Sequence, residues 1–461
     1  MSHFVLLVNP WIYDFAAYDM WVRPLGLLTI ASVLRSCGLQ VGFIDCLDRT
    51  AEGPAESGPL PARYRARSAA YGCGHFRSEP APKPPVLAPV MRQWKRYGVP
   101  ARFFESRLDA VARPDAVLVG CTMTYWYPGA FEVIARVKRR WPEVPVALGG
   151  IYPTLCPEHA SAHSGADIVV TGSRLHDVLR AISQVVGFDV QATATFCEER
   201  PTCPDYGLIN HFGAAALLTG RGCPYRCSYC ASYLMEPRLL RYEPTEVAAV
   251  VQTLCRRDGI RDIAFYDDAL LFQAERHLFP ILADLSSRGV SVRFHTPNGV
   301  HPRFVTPDVA RALRSGGFVT LRLSFESANP ERQQDSSGKV TTDELGSALE
   351  ALRDAGFTRR EVRVYALMGL PGQSESEVAD TLYVIHKLKA RSSLAQYSPI
   401  PGTADFEQWD HPNRELARQE PLLHNNTAFP YVAGPDCLGP DAYRPLQVLS
   451  RNLNEEIEAS C

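Results

Sequence analysis

Nowhere does this chain run about 18 apolar residues without interruption, which excludes a predicted membrane-spanning helix. Charge imbalance is missing too: 48 Lys and Arg face 50 Asp and Glu, a formal net charge of −2. No strong field draws such a chain to nucleic acid or to an anionic membrane. Its start, "MSHFVLLVNPW", lacks a basic leader and a small-residue cleavage site, and reads as a strand rather than a signal peptide. Cysteine is scarce for the length. Thirteen in 461 residues, an odd number, make no disulfide scaffold and predict a reducing cytoplasm with mostly buried free thiols.

A chain of this length exceeds one ordinary domain. From residue 214 to 405 strands and helices alternate: "AALLTG" (215–220), "DIAFYD" (262–267), "SVRFHT" (291–296), "VTLRLSF" (319–325), "VRVYALM" (362–368) and "LAQYSP" (394–399) are the predicted strands. Thr341 with Glu344, and Ser374 with Glu377, have capping-box spacing; Thr306 precedes a first-turn Pro307. Gly259, Gly289, Gly316 and Gly356 are expected to stop helices. Six βα units predict a parallel sheet in an incomplete, TIM-like (βα)6 barrel, with its chemistry at the carboxyl ends of the strands. Residues 1–190 alternate as well and predict a second α/β domain, doubly wound and Rossmann-like, which binds ligands outside its strand ends. Its pattern breaks over 51–115, where ten prolines and no clear period suggest a solvated surface excursion, with Cys73 and His75 as a two-residue metal candidate. Residues 191–213 read as a linker and 406–461 as a C-terminal extension.

Three cysteines, Cys223, Cys227 and Cys230, crowd the stretch "TGRGCPYRCSYCAS" (219–232). Structural zinc wants four nitrogen or sulfur ligands, and no second pair follows. A disulfide strands the third thiol. An iron–sulfur cluster held by three protein ligands, with one iron left open for a substrate, accounts for the number.

Cys-x3-Cys-x2-Cys with Tyr229 before the last cysteine, directly after the first strand of a (βα)6 pattern, resembles the radical S-adenosylmethionine (SAM) superfamily. The resemblance implies a [4Fe–4S] cluster on the three cysteines whose open iron chelates SAM, and cleavage of SAM to a 5′-deoxyadenosyl radical. It further implies SAM-site roles for Tyr229, for Asp267 and Asp268 in "FYDDALL", and for Ser324 and Glu326 in "LRLSFES". Gly369 and Gly372 in "ALMGLPGQSE" would let the backbone approach the adenine, and Tyr397 in "QYSPIPGT" would lie near the same base. The family's Gly-Gly-Glu is absent at the second strand.

A doubly wound domain ahead of such a barrel is similar to the cobalamin-binding class of this superfamily. Gly149 and Gly150 in "PVALGGIYPT" match that class's glycine pair, and Thr122 in "CTMTYW" its hydroxyl-bearing loop. No Asp-x-His-x-x-Gly occurs, so the resemblance implies a base-off cobalamin with no histidine on cobalt. It implies methylation of an unactivated carbon on a small-molecule or lipid-type substrate, fed by a reductase, flavodoxin or ferredoxin-type electron donor. Cyclisation, rearrangement or oxidation without methyl transfer is the alternative within this chemistry, and a non-catalytic iron–sulfur or metal-binding scaffold the alternative outside it. Methylthio transfer to tRNA is not expected: Cys37, Cys46, Cys73 and Cys121 are irregularly spread and no basic C-terminal module is present.

Overall fold

Side chains buried on both faces of the first strand show why the N-terminal part is layered. In β1 (Phe4–Asn9), Val5 and Leu7 pack on one side with Leu27, Ala31 and Leu34 of α1 (Leu25–Ser36), while Leu6 and Val8 pack on the other. That second face carries Ala130, Val133 and Val137 of α2 (Tyr127–Arg140). With β2 (Gln40–Asp45), β3 (Ala116–Cys121), β4 (Val146–Gly150) and β5 (Ile168–Val169), the strands form one parallel sheet in the order β5-β4-β3-β1-β2. This is the doubly wound layout the alternation predicts. Helix α3 (Leu175–Val186) closes it on the α1 side and ends at Gly187, in the left-handed conformation.

The computed structural model describes residues 3–50, 66–172, 174–187, 189–190, 196–335, 338 and 340–459. It divides into two compact units, one of residues 1–216 with 257–259 and 419–422, the other of the remainder.

Two expectations for the first unit need correction. The described part of the excursion, 66–115, is no solvated loop. Ser78–Pro80 and Lys95–Tyr97 pair antiparallel with Ile12–Asp14, and a helix at Ala101–Ala110 buries Phe104 and Leu108. Its aromatics do the packing: Phe104 meets Trp11 edge-on at 5.0 Å and Trp94 meets Phe15 at 4.8 Å. There the Cys73 thiol is buried and pushed up to about 11 by desolvation, while His75 is exposed against Tyr18. The segment from 196 to 213 is likewise no free linker, since Tyr206 is fully buried and its hydroxyl bridges the backbone N–H and C=O of Ala216. The rest of the expected linker, 191–195, lies outside the described residues.

The second parallel sheet has six strands in chain order: β6 (Ala214–Leu217), whose last residue opens the second unit, β7 (Asp262–Phe265), β8 (Arg293–His295), β9 (Phe318–Glu326), β10 (Val362–Met368) and β11 (Arg391–Gln396). Along β9, Leu321, Leu323 and Phe325 are buried while Arg322, Ser324 and Glu326 share the opposite face. Phe265, Phe294 and Phe318 stack across β7, β8 and β9 at 4.9 and 5.2 Å.

Thr341 and Glu344 form the full capping box of the helix Thr342–Asp354, and Thr306 caps Pro307–Ser315. Ser374 caps Glu375–Lys387, but the Glu377 carboxylate turns away to Arg332 at 2.6 Å and Ser327 at 2.8 Å. Gly259, Gly289 and Gly356 are left-handed as expected; at the fourth stop the left-handed residue is Gly317, not Gly316. The C-terminal helix, Pro440–Ala459, lies along β11, where the Asn454 carboxamide accepts from Ser392 N–H at 2.8 Å and donates to Ser392 C=O at 3.0 Å.

Candidate functional site

The cysteine loop leaves β6 and is fixed from several directions. Gly220–Arg221 pairs antiparallel with Leu240–Arg241, and Gly222 is left-handed because any Cβ there would overlap the Arg238 carbonyl. The Cys230 N–H closes a turn onto the Cys227 carbonyl at 3.0 Å. Asp405 N–H reaches the Ser228 carbonyl at 3.0 Å and the Tyr233 hydroxyl reaches the Gly402 carbonyl at 2.8 Å. Cys227 is buried, while Cys223 and Cys230 are half-buried. The Ser232 N–H points at the Cys230 sulfur at 3.5 Å and the Ser232 hydroxyl lies 3.3 Å from it. Among the described residues no three His, Cys, Asp or Glu side chains converge as ligands of one metal ion. Three thiols on a pinned loop without a fourth donor suit a polynuclear cluster, which needs them spread apart, better than a single ion.

Polar and aromatic side chains of the neighbouring strand ends interact with this loop and with one another. Asp268 is exposed, yet the surrounding protein raises its carboxyl above the usual range, with Ser232 bonded to it. Tyr229 and Tyr365 behave alike: both phenols are half-buried and raised, chiefly by desolvation. The Glu326 carboxylate adds to both shifts, and Arg322 bonds Tyr365 and opposes its shift. Glu326 itself has φ 71°, a left-handed backbone in a residue with a side chain, where the register with β10 slips by one. Ser324, two residues earlier on the same face, is buried under the loop 297–301, whose Gly299 leaves room for its hydroxyl alone.

Other expected site residues are engaged within the fold. Asp267 is buried and accepts from Thr219 N–H at 3.0 Å and Thr219 hydroxyl at 2.6 Å, pinning β6 to β7. Burial pushes its carboxyl up to about 6, and the neighbouring His277, 2.9 Å from the same hydroxyl, down to about 4. Gly369 is left-handed, but the space beside it is filled by the Tyr443 hydroxyl of the C-terminal helix. Gly372, also left-handed, faces open space. Tyr397 is buried against Phe429, its hydroxyl without a hydrogen-bond partner among the described residues.

The pattern reading missed four groups near these strand ends. Asn298 bonds the Tyr266 carbonyl at 2.8 Å from the loop after β8, and Gln373 holds the turn after β10 through Gly369 N–H and Leu367 C=O. Arg322 and Tyr365 were findable. The first precedes Ser324 by two on the same strand face, and the second is the register partner of Ser324.

In the first unit, Thr122 is exposed after β3 and Gly149–Gly150 end β4. Gly150 has φ 111° and a Cβ there would overlap the Cys121 carbonyl, so the fold itself demands glycine. Beside it the Thr124 hydroxyl is buried without a protein partner. A glycine ledge and an unanswered hydroxyl at strand ends fit a large polar ligand.

Family comparison joins these observations. Residues 217–383 match the radical SAM superfamily and residues 99–176 match the B12 binding domain. The chain carries a radical SAM domain and a B12-binding domain. An uncharacterised methyltransferase of Pyrococcus horikoshii is 26% identical over 325 residues, covering 64% of this chain and 69% of that protein. A tRNA-2-methylthio-N(6)-dimethylallyladenosine synthase of Acidothermus cellulolyticus is 27% identical over 61% of this chain, and the chain spans only 58% of its length. Among solved structures, the radical SAM methyltransferase TsrM of Kitasatospora setae superposes with a TM-score of 0.67 at 16% identity, covering 97% of this chain and 91% of that one. The cobalamin-dependent radical SAM enzyme OxsB gives 0.56 at 15% identity, covering 98% of this chain and 61% of its own. These likenesses establish the fold. The radical SAM domain begins at the last residue of β6, just before the cysteine loop, and no helix among the described residues is long and apolar enough to cross a membrane.

Proposed function

We propose that this chain is a cobalamin-dependent radical SAM enzyme that methylates an unactivated carbon of a small-molecule or lipid-type substrate in the cytoplasm. The observation that carries the reading is the pinned three-cysteine loop at the end of β6, inside a radical SAM domain that shares its chain with a B12-binding domain. The names of two relatives support methyl transfer, and TsrM has been solved with cobalamin and a [4Fe–4S] cluster bound.

When bound, the cluster supplies the electron that splits the sulfonium of SAM, and cobalamin supplies a carrier for the methyl group. Cys223, Cys227 and Cys230 would hold the cluster, with Ser232 donating to the Cys230 sulfur. Tyr229 would shield the loop from water. Asp268 and Glu326 would offer carboxylates at the strand ends to the ammonium or ribose hydroxyls of SAM. Asp267 and Tyr397 act by holding the strand ends, and Gln373 orders the turn that carries Gly369 and Gly372. Thr122, Thr124, Gly149 and Gly150 would border cobalamin, and no Asp-x-His-x-x-Gly histidine is there to be offered to it. A reductase, flavodoxin or ferredoxin-type protein would deliver the electron.

Anaerobically reconstituted protein with SAM and a chemical reductant should form 5′-deoxyadenosine, take up cobalamin, and add 14 mass units to its substrate. Each cysteine-to-alanine change should abolish the first. Deoxyadenosine formation that survives loss of all three thiols would end the reading. Product of altered mass without those 14 units would shift it to cyclisation, rearrangement or oxidation.

A further inference from the structure

Three arginines stand abreast across the second unit's strands, midway along β9 and at the starts of β10 and β11. Arg322, Arg363 and Arg391 are register partners on β9, β10 and β11, so they share one face of the sheet. Like charges side by side on neighbouring strands repel, and the arrangement is unfavourable unless something negative lies among them. The fold answers only part of it. Arg391 pairs with Glu458 at 2.5 Å, yet its Nε is buried without a partner, and Arg322 goes to Tyr365. Arg363 has no hydrogen-bond or ion-pair partner among the described residues, and desolvation, helped by its neighbours Arg391 and Arg322, brings its guanidinium down to about 10.

Arg363 and Arg391 open into a cleft of about 500 Å³ between the starts of β10 and β11 and the C-terminal helix. Ser393, Gln447 and the exposed Arg451 also line it, none with a partner among the described residues. Among the described residues its three guanidinium groups, Arg363, Arg391 and Arg451, outnumber its two carboxylates, Glu455 and Glu458. The volume is that of a small-molecule site, and guanidinium forks match the geometry of oxyanions.

We propose that this cleft is a second ligand site, remote from the cysteine loop, that takes a small molecule carrying a multiply charged oxyanion, gripped by Arg363, Arg391 and Arg451. Phosphate and clustered carboxylates share the required chemistry, and the titration separates them. The site needs no SAM cleavage, so it stands or falls apart from the radical reaction.

The test is calorimetric titration of the full-length protein with sodium pyrophosphate, inorganic phosphate and tricarballylate, each against sodium chloride of equal ionic strength. At least one anion should bind saturably, at least tenfold more weakly to Arg363→Gln and to Arg451→Gln, and equally well to Arg311→Gln, a surface control paired with Asp308. Preference for the phosphates identifies a phosphorylated ligand, and preference for tricarballylate a polycarboxylate. Without anion and at low salt, Arg363→Gln should also melt above the native protein; an arginine with a structural role would melt lower. Arg451 is exposed, so its variant carries the test should Arg363→Gln fail to fold. The proposal is overturned if no anion binds saturably, or if the cleft variants bind as Arg311→Gln does.

Discussion

Glu326 makes a prediction in which stability and activity move in opposite directions. Its φ of 71° at the end of β9 costs a residue with a Cβ about 1–2 kcal/mol, which glycine escapes. Glycine returns part of that through the greater freedom of its unfolded chain, about 0.5–1 kcal/mol. Glu326→Gly should therefore be more stable than Glu326→Ala by roughly 0.5–1 kcal/mol, although alanine is the better residue almost anywhere else in a strand. With a urea slope of about 3 kcal/mol per molar, this moves the midpoint by roughly 0.2–0.3 M. Both variants remove the carboxylate beside Tyr229 and Tyr365, and deoxyadenosine formation should fall at least tenfold in each. Urea titrations followed by tryptophan fluorescence, paired with chromatographic assay of deoxyadenosine, read the two effects separately. If the alanine variant proves as stable as the glycine variant, the backbone is unstrained and the reasoning fails. If both variants keep full activity, the carboxylate has no part in the SAM site.

Gly369→Ala places a methyl into the Tyr443 hydroxyl on a left-handed backbone and should lower stability by about 2 kcal/mol or more, with partial rescue by Tyr443→Phe in a double-mutant cycle. Asp267 ionises at about 6 in the fold against 3.8 normally, so its contribution is fully present below the lower value and is lost as pH rises through the higher one. Asp267→Asn should accordingly gain on the native protein between about pH 4 and pH 6, by up to about 3 kcal/mol, and hold that gain above; a flat difference across this range refutes the burial argument. Burial raises the thiols of Cys46 and Cys121, whereas Cys197 is exposed. Brief alkylation of the metal-free folded protein at pH 8 should label Cys197 and spare those two, as peptide mass mapping would show.

Much of the architecture was legible because it rests on short-range rules. Alternation, caps and turn glycines lie within a few residues of one another, and so do the three cysteines and Tyr229. What escaped depends on partners far along the chain. The spacing of Asp267 gives no sign that Thr219, 48 residues earlier, claims its carboxylate. Gly369 looks ready for a ligand until Tyr443 is found beside it. Residues 66–115 seemed loop-like because proline erases periodicity, yet Trp94, Phe104 and Leu108 build a small core without a regular repeat. Arg322, Arg363 and Arg391 are separated by 41 and 28 positions in the chain, and only strand register makes them neighbours.

The carboxamide of Asn454, by answering both the N–H and the C=O of Ser392, does for β11 what the peptide of a seventh strand would do. At that residue the open edge is met by a side chain rather than left as a template for another molecule's strand. Replacing that amide with leucine would unmask a sticky rim, and self-association should then surface before any loss of folding.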